Sequence, residues 1–224
     1  MRAILALLAF LASCSVAIAE THPMLSEVLF NVPVGEEGDA NLDGRRNAAG
    51  DEFFELTNPH DEPIDLRGYV FANRLLFREG SELRAVLFKF PAMRLGPGER
   101  AVVFNGYKSD IPGPVGTSER PPGARNEHFG GAWVFTMGNG SRFRAMNNTG
   151  DYVLLLTSRK KVVDSLMWGT PDQDLPEGVS TPQKVIEDPG GSVTRSAPDE
   201  PFAPHRSVDG TRFSPGIRVE EPDG

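Results

Sequence analysis

The sequence predicts an all-β protein, an antiparallel sandwich of two packed sheets, and three observations carry that expectation. Short apolar segments recur with alternating character, each bounded by Gly, Pro, Asn or Asp, the period-2 signature of strands. Gly 24 and Pro 19 make up nearly a fifth of the 224 residues, which favours short elements joined by turns over long helices. No window keeps apolar residues at helical spacing, so no amphipathic helix is expected beyond the N-terminal segment.

Taken in order, the first strand is expected in "MLSEVLFNV" (Met24 to Val32) and the second in "EFFELTN" (Glu52 to Asn58). A third spans "IDLRGYVFAN" (Ile64 to Asn73), with a bulge or bend at Gly68. "AVLFKFP", "RAVVFNG", "AWVFTM", "DYVLLLTS", "KVVDSLMWG" and "GSVTRS" follow. The expected core is Val28, Phe30, Phe54, Leu56, Leu66, Val70, Phe88, Val102, Phe104, Val153, Leu155, Val163 and Trp168. The stretch Lys108 to Gly131 is rich in Pro and Gly and lacks alternation, so it reads as a long surface loop, either a partner surface or a disordered insertion. Ile217 to Gly224 reads as a flexible tail.

The N-terminus, "MRAILALLAFLASCSVAIAE", has one basic residue, a short apolar stretch and small residues before Glu20. It reads as a signal peptide, because the apolar stretch is too short to span a bilayer. Two processing chemistries stay open. Ala17-Ile18-Ala19 offers cleavage ahead of Glu20, so that residues 1–19 are removed and the chain is secreted. Leu11-Ala12-Ser13-Cys14 resembles a lipobox, which would leave a lipid on Cys14 and anchor the chain at the cell envelope. Cys14 is the only cysteine, so the domain from residue 24 onward has neither a disulfide nor a thiolate metal site.

The formal charge is −8, and loss of the signal removes one base and no acid. A chain this acidic is repelled by nucleic acid and by anionic lipid, which argues against a DNA-binding role. The four histidines lack zinc-site spacing, and no nucleophile elbow, P-loop or dinucleotide fingerprint is present. Arg142 and Arg144 flanking Phe143 read as an ordinary strand edge. Asn139-Gly140-Ser141 and Asn147-Asn148-Thr149 fit the glycosylation tripeptide, which matters only in a secretory pathway that glycosylates.

One stretch does carry chemistry. In "GDANLDGRRNAAGDEFFEL" (Gly38 to Leu56), Asp39, Asn41 and Asp43 alternate ahead of Gly44. These match positions 1, 3, 5 and 6 of a calcium loop, with the Arg45 carbonyl at position 7. Gly50 stands where a bidentate Glu is needed, and Asp51 and Glu52 follow one and two residues later. The expected site is a Ca²⁺-stapled loop between the first two strands, built from Asp39, Asn41, Asp43, Arg45, Asp51 and Glu52. A solvated acidic turn is the alternative, since Asp, Asn and Gly also bond their own backbone in loops.

The order "SEVLFNVP", "DEFFELTNPHDEPIDLRGYVFAN", "LGPGERAVVFNG", "GDYVLLLTSRKKVVDSLMWG", "GSVTRS" and "FAPHRSVDGTRFSPG" resembles the bacterial, secreted version of the lamin-tail domain family, over roughly Met24 to Gly216. The resemblance implies an immunoglobulin-like β-sandwich without catalytic machinery, serving as an extracellular binding or structural module. Its expected partner is an extracellular or cell-envelope protein or polymer. The alternatives are an accessory subunit of an extracellular hydrolase or nuclease, and a DNA- or envelope-polymer-binding protein.

Overall fold

A computed structural model describes residues 21–80, 85–138, 146–171, 175, 183–185 and 188–218. The signal segment with Cys14, the Asn139 tripeptide and the Arg142 to Arg144 stretch lie outside the described residues. Strands β1 (Met24–Leu29), β2 (Phe53–Thr57), β3 (Ile64–Asp65), β4 (Val70–Asn73), β5 (Val86–Lys89), β6 (Arg94–Leu95) and β7 (Arg100–Phe104) form the first half. After them come β8 (Trp133–Thr136), β9 (Gly150–Leu156), β10 (Val162–Gly169), β11 (Gln183–Val185), β12 (Val193–Thr194) and β13 (Ala203–Pro204), then a one-turn helix α1 (His205–Val208).

These strands make a six-stranded sheet in the order β13-β12-β1-β2-β7-β8, a five-stranded sheet in the order β11-β10-β9-β4-β5, and a small β3-β6 ladder. The expected third strand is two. Gly68 sits at φ +79 in a turn that separates β3 from β4, and a Cβ there would lie 3.0 Å from the Ser158 side chain. Gly150 is needed for a different reason, because a Cβ on it would meet the Thr170 carbonyl at 2.3 Å.

Two pairings depart from the expected antiparallel pattern. β7 and β8 run parallel, with Ala101 opposite Trp133, and so do β10 and β11, with Leu166 opposite Gln183. Parallel neighbours need a crossover of a dozen or more residues. The chain between Phe104 and Trp133 is that crossover, and this accounts for the long segment without alternation. It runs over the surface with most of its residues exposed or half-buried, anchored to the first sheet at a few points. Phe129 is buried, Ile111 and Val115 pack against the outer face of the first sheet, and Gly116 bridges to Phe135. Asn126 organises it, its side-chain NH₂ donating to the Pro112 and Pro114 carbonyls while its Oδ1 accepts from His128 N–H.

The inter-sheet core holds Val28, Phe54, Leu56, Phe71, Phe88, Val153, Leu155 and Trp168, with Phe30 stacked on Trp168 at 4.3 Å between ring centroids. Each large side chain buried there stabilises by roughly 1.5–3 kcal/mol. Val102 and Phe104, expected in this layer, line the opposite face with Leu29, Phe53 and Phe129, under the crossover. Val70 and Val163 are only partly buried. Both faces of β2 are therefore covered, which is why "FFEL" reads apolar on successive residues.

Candidate functional site

Gly44, at φ +82, makes the sharp turn that the calcium-loop pattern requires of it. Leu42 adopts φ 60, a region where a side chain is strained. Asp39 accepts from the backbone N–H of Asp43 through Oδ1 at 3.2 Å and of Gly44 through Oδ2 at 2.9 Å. Asn41 Oδ1 accepts from the same Asp43 N–H at 3.1 Å. Asp43 Oδ1 takes the Arg45 N–H, and its Oδ2 takes the Asp110 N–H from the crossover. Asn41 is fully buried and donates from its side chain to Ser109 Oγ at 2.9 Å.

Asp51 closes the loop. It is fully buried, and its carboxylate accepts from the backbone N–H groups of Asn41 and Asn47, ten and four residues earlier. Burial, opposed by those two amides and reinforced by the charges of Asp39 and Asp43, pushes its pKa up to about 6. Glu52 does not join them. Successive residues entering a strand face opposite sides, and Glu52 Oε2 turns instead to Asn105 Nδ2 at 3.0 Å and to Met146 N–H at 3.1 Å. Its assignment as a loop ligand is corrected on that ground. Arg45 is exposed at the loop surface. Among the described residues, no three His, Cys, Asp or Glu side chains stand together in a way that could hold a metal ion. The oxygens of Asp39, Asn41, Asp43 and Asp51 have the hard-donor chemistry calcium takes, but as they stand they are directed at amides.

The same device recurs at four acids not singled out in the sequence. Each carboxylate sits inside or beside a strand and binds the backbone of a distant segment. Glu27 Oε1 accepts from Ser192 Oγ at 2.6 Å and from Ser214 N–H at 3.0 Å. Glu55 accepts from Ser26 Oγ at 2.7 Å and from Gly216 N–H at 2.7 Å, with Arg100 Nε at 3.3 Å. Asp151 takes the N–H groups of Arg74 and Asn147 and an ion pair from Arg74 at 2.7 Å. Asp164 takes Leu25 N–H at 2.7 Å and pairs with Arg195. Burial, with the neighbouring Glu27 charge, pushes Glu55 up to about 7 against the opposing pull of Arg100. Fully buried His205 has Nδ1 3.3 Å from Glu27 Oε1 and Nε2 3.1 Å from Asp209 Oδ2. Burial pushes the imidazole pKa down, but those two carboxylates outweigh it and the net shift is upward. The signal in the sequence was a single acid inside an apolar run, as in "LSEVLF" and "FFEL".

Such a molecule, a two-sheet sandwich whose buried acids tie loops to strands, is of the immunoglobulin-like class. The Lamin Tail Domain family model matches residues 27–170, and the chain belongs to that family, a non-enzymatic immunoglobulin-like module. No curated protein is similar enough to the chain to count as a relative. The family match stops short of the expected Gly216. β11, β12, β13 and α1 lie beyond it, yet β12 pairs with β1 and β11 with β10, so this segment extends both sheets.

Proposed function

We propose that the chain is an exported, non-catalytic binding or structural module of the lamin-tail type, with Ca²⁺ taken up in the loop from Asp39 to Asp51. Its partner is an extracellular or cell-envelope protein or polymer, reached as a free secreted chain or through a lipid on Cys14. The observation that carries the calcium reading is the arrangement around Asp51. Asp39, Asn41 and Asp43 share one turn, and the charges of the two acids reach buried Asp51 and add to the burial that raises its pKa. A divalent cation relieves that repulsion and ties the loop to β2. Asp39, Asn41, Asp43 and Asp51 are the side chains to hold it, with the Arg45 carbonyl, and binding turns the carboxylates of Asp39 and Asp43 from backbone amides toward the ion.

Melting curves in chelator and in millimolar-range Ca²⁺ test the site, since an ion that binds only the folded chain raises the melting temperature. Coincident curves overturn it. Intact mass of the exported chain tests the route: a start at Glu20 fits secretion, a diacylglyceryl mass on Cys14 fits the anchored form, and an unprocessed chain retained in the cytoplasm overturns both.

A further inference from the structure

The outer face of the five-stranded sheet carries a groove of about 590 Å³, within the size range of small-molecule sites. Its floor follows from strand alternation. Phe71, Phe88, Val153 and Leu155 point into the inter-sheet core, so their neighbours Val70, Ala72 and Leu156 face outward. Val70 stands opposite Leu156 on one side and Lys89 on the other, and Val162 of β10 continues the row beside Leu156. Leu76 and Val86 complete the apolar walls.

One end of the groove is cationic. The β9–β10 turn contributes Lys160, held at φ 63 while its N–H donates to the Thr157 carbonyl at 2.9 Å, so the turn fixes where this side chain leaves the backbone. Lys89 lies on the other side of the Val70 and Leu156 pair. Both lysines are exposed, and among the described residues neither has an ion-pair partner and no acid lines the groove. In a chain of formal charge −8, an apolar trough ending in two unpaired ammonium groups is complementary to one shape of ligand, an aliphatic chain with an anionic head.

We infer that this groove is a binding site for a monomeric long-chain alkyl carboxylate, its carboxylate at the end held by Lys89 and Lys160 and its tail running from Val70 along the strands toward Ala72, Leu76 and Val86. The site is separate from the Asp39 to Asp51 loop, so either reading can fail without the other. Burial of the tail supplies affinity and the lysines supply selection of the head group.

The test is isothermal titration of the full chain with dodecanoate below its micellar concentration, beside dodecanol and dodecyltrimethylammonium. Saturable one-to-one binding of dodecanoate is expected, with dodecanol weaker and the cationic amphiphile weakest. Lys89→Glu combined with Lys160→Glu, both at exposed positions, should weaken dodecanoate about tenfold, the effect of about 1.4 kcal/mol, and leave the melting temperature unchanged. Val70→Trp should fill the trough and remove binding of dodecanol as well. Equal binding of all three amphiphiles, dodecanoate binding indifferent to the lysine reversals, or binding only to phosphatidylglycerol vesicles with none to the monomer, would each overturn the inference.

Discussion

The Asp39 to Asp51 loop and the C-terminal segment from Ser192 to Gly216 solve one problem in two ways. Both are held by carboxylates that accept backbone N–H groups, the loop by its own acids and the C-terminal segment by Glu27 of β1 and Glu55 of β2. In the loop the acids are local, within thirteen residues of one another, and accept from backbone amides with no ion pair to a base among the described residues. In the C-terminal segment the acids are remote. Glu27 reaches Ser214 across 187 positions and Glu55 reaches Gly216 across 161. There His205 and Arg100 supply positive charge beside the carboxylates. A carboxylate buried with a counter-charge is complete within the protein, whereas an acid cluster without one leaves room for a cation from solution.

The largest effect should come from breaking the C-terminal fastening. Glu55→Ala removes the acceptor of Gly216 N–H and Ser26 Oγ and strands the partly buried Arg100, a loss of roughly 3 kcal/mol. At about 2–4 °C per kcal/mol for a domain of this size, calorimetry should show melting roughly ten degrees lower. An unchanged melting temperature would show that the segment from Ser192 to Gly216 is not held by this contact.

Saturating the loop should come next. Calcium at about 100 times its dissociation constant adds roughly 2.7 kcal/mol, a rise of several degrees. Mg²⁺ should substitute poorly, because it demands a smaller octahedral cage. Asp43→Ala should erase the calcium shift and leave Glu55→Ala as damaging as before, since distant sites act additively.

Both regions should lose stability as pH rises, since Asp51 in the loop and Glu55 under the C-terminal segment are both raised. Glu55 titrates at about 7 in the folded chain against a usual value of 4.5. It binds more protons when folded, so its contribution is complete below pH 4.5 and is lost as pH rises through 7. His205, also raised, acts in the same direction above pH 6.5. The groups facing this pair are Glu27, Arg100, Asp209, Ser26 and the Gly216 amide. Urea midpoints should fall between pH 5 and pH 8, and Glu55→Gln should reduce the slope while Asp51, Glu52 and His205, also raised, keep the remainder. A midpoint that rises with pH contradicts the assignment.

The smallest effect sharpens the loop. Leu42 is held at φ 60 and is 48% exposed, so its side chain offers little burial to offset the strain. Leu42→Gly should stabilise by up to about 1 kcal/mol. Loss of stability in urea titrations would mean that Leu42 packs against something in solution.

Strand positions and the tight turn at Gly44 were legible in the sequence because both are local. A period of two over five to nine residues, or Asp-x-Asn-x-Asp-Gly, is set by neighbours along the chain, and β2, β7, β9 and β10 lie where alternation placed them. The direction of Glu52 was equally local, since strand alternation turns it away from Asp51. Local pattern did not reveal why Lys108 to Gly131 is long, because a parallel pairing shows only once β7 and β8 lie side by side. Nor did it single out Glu27, Glu55 and His205. An acid inside an apolar run says that a partner must exist, because burying a bare charge is costly. Which amide answers it is decided only when Gly216 and Ser214 fold back over β1 and β2, for hydrogen bonds between such distant positions leave no period in the chain.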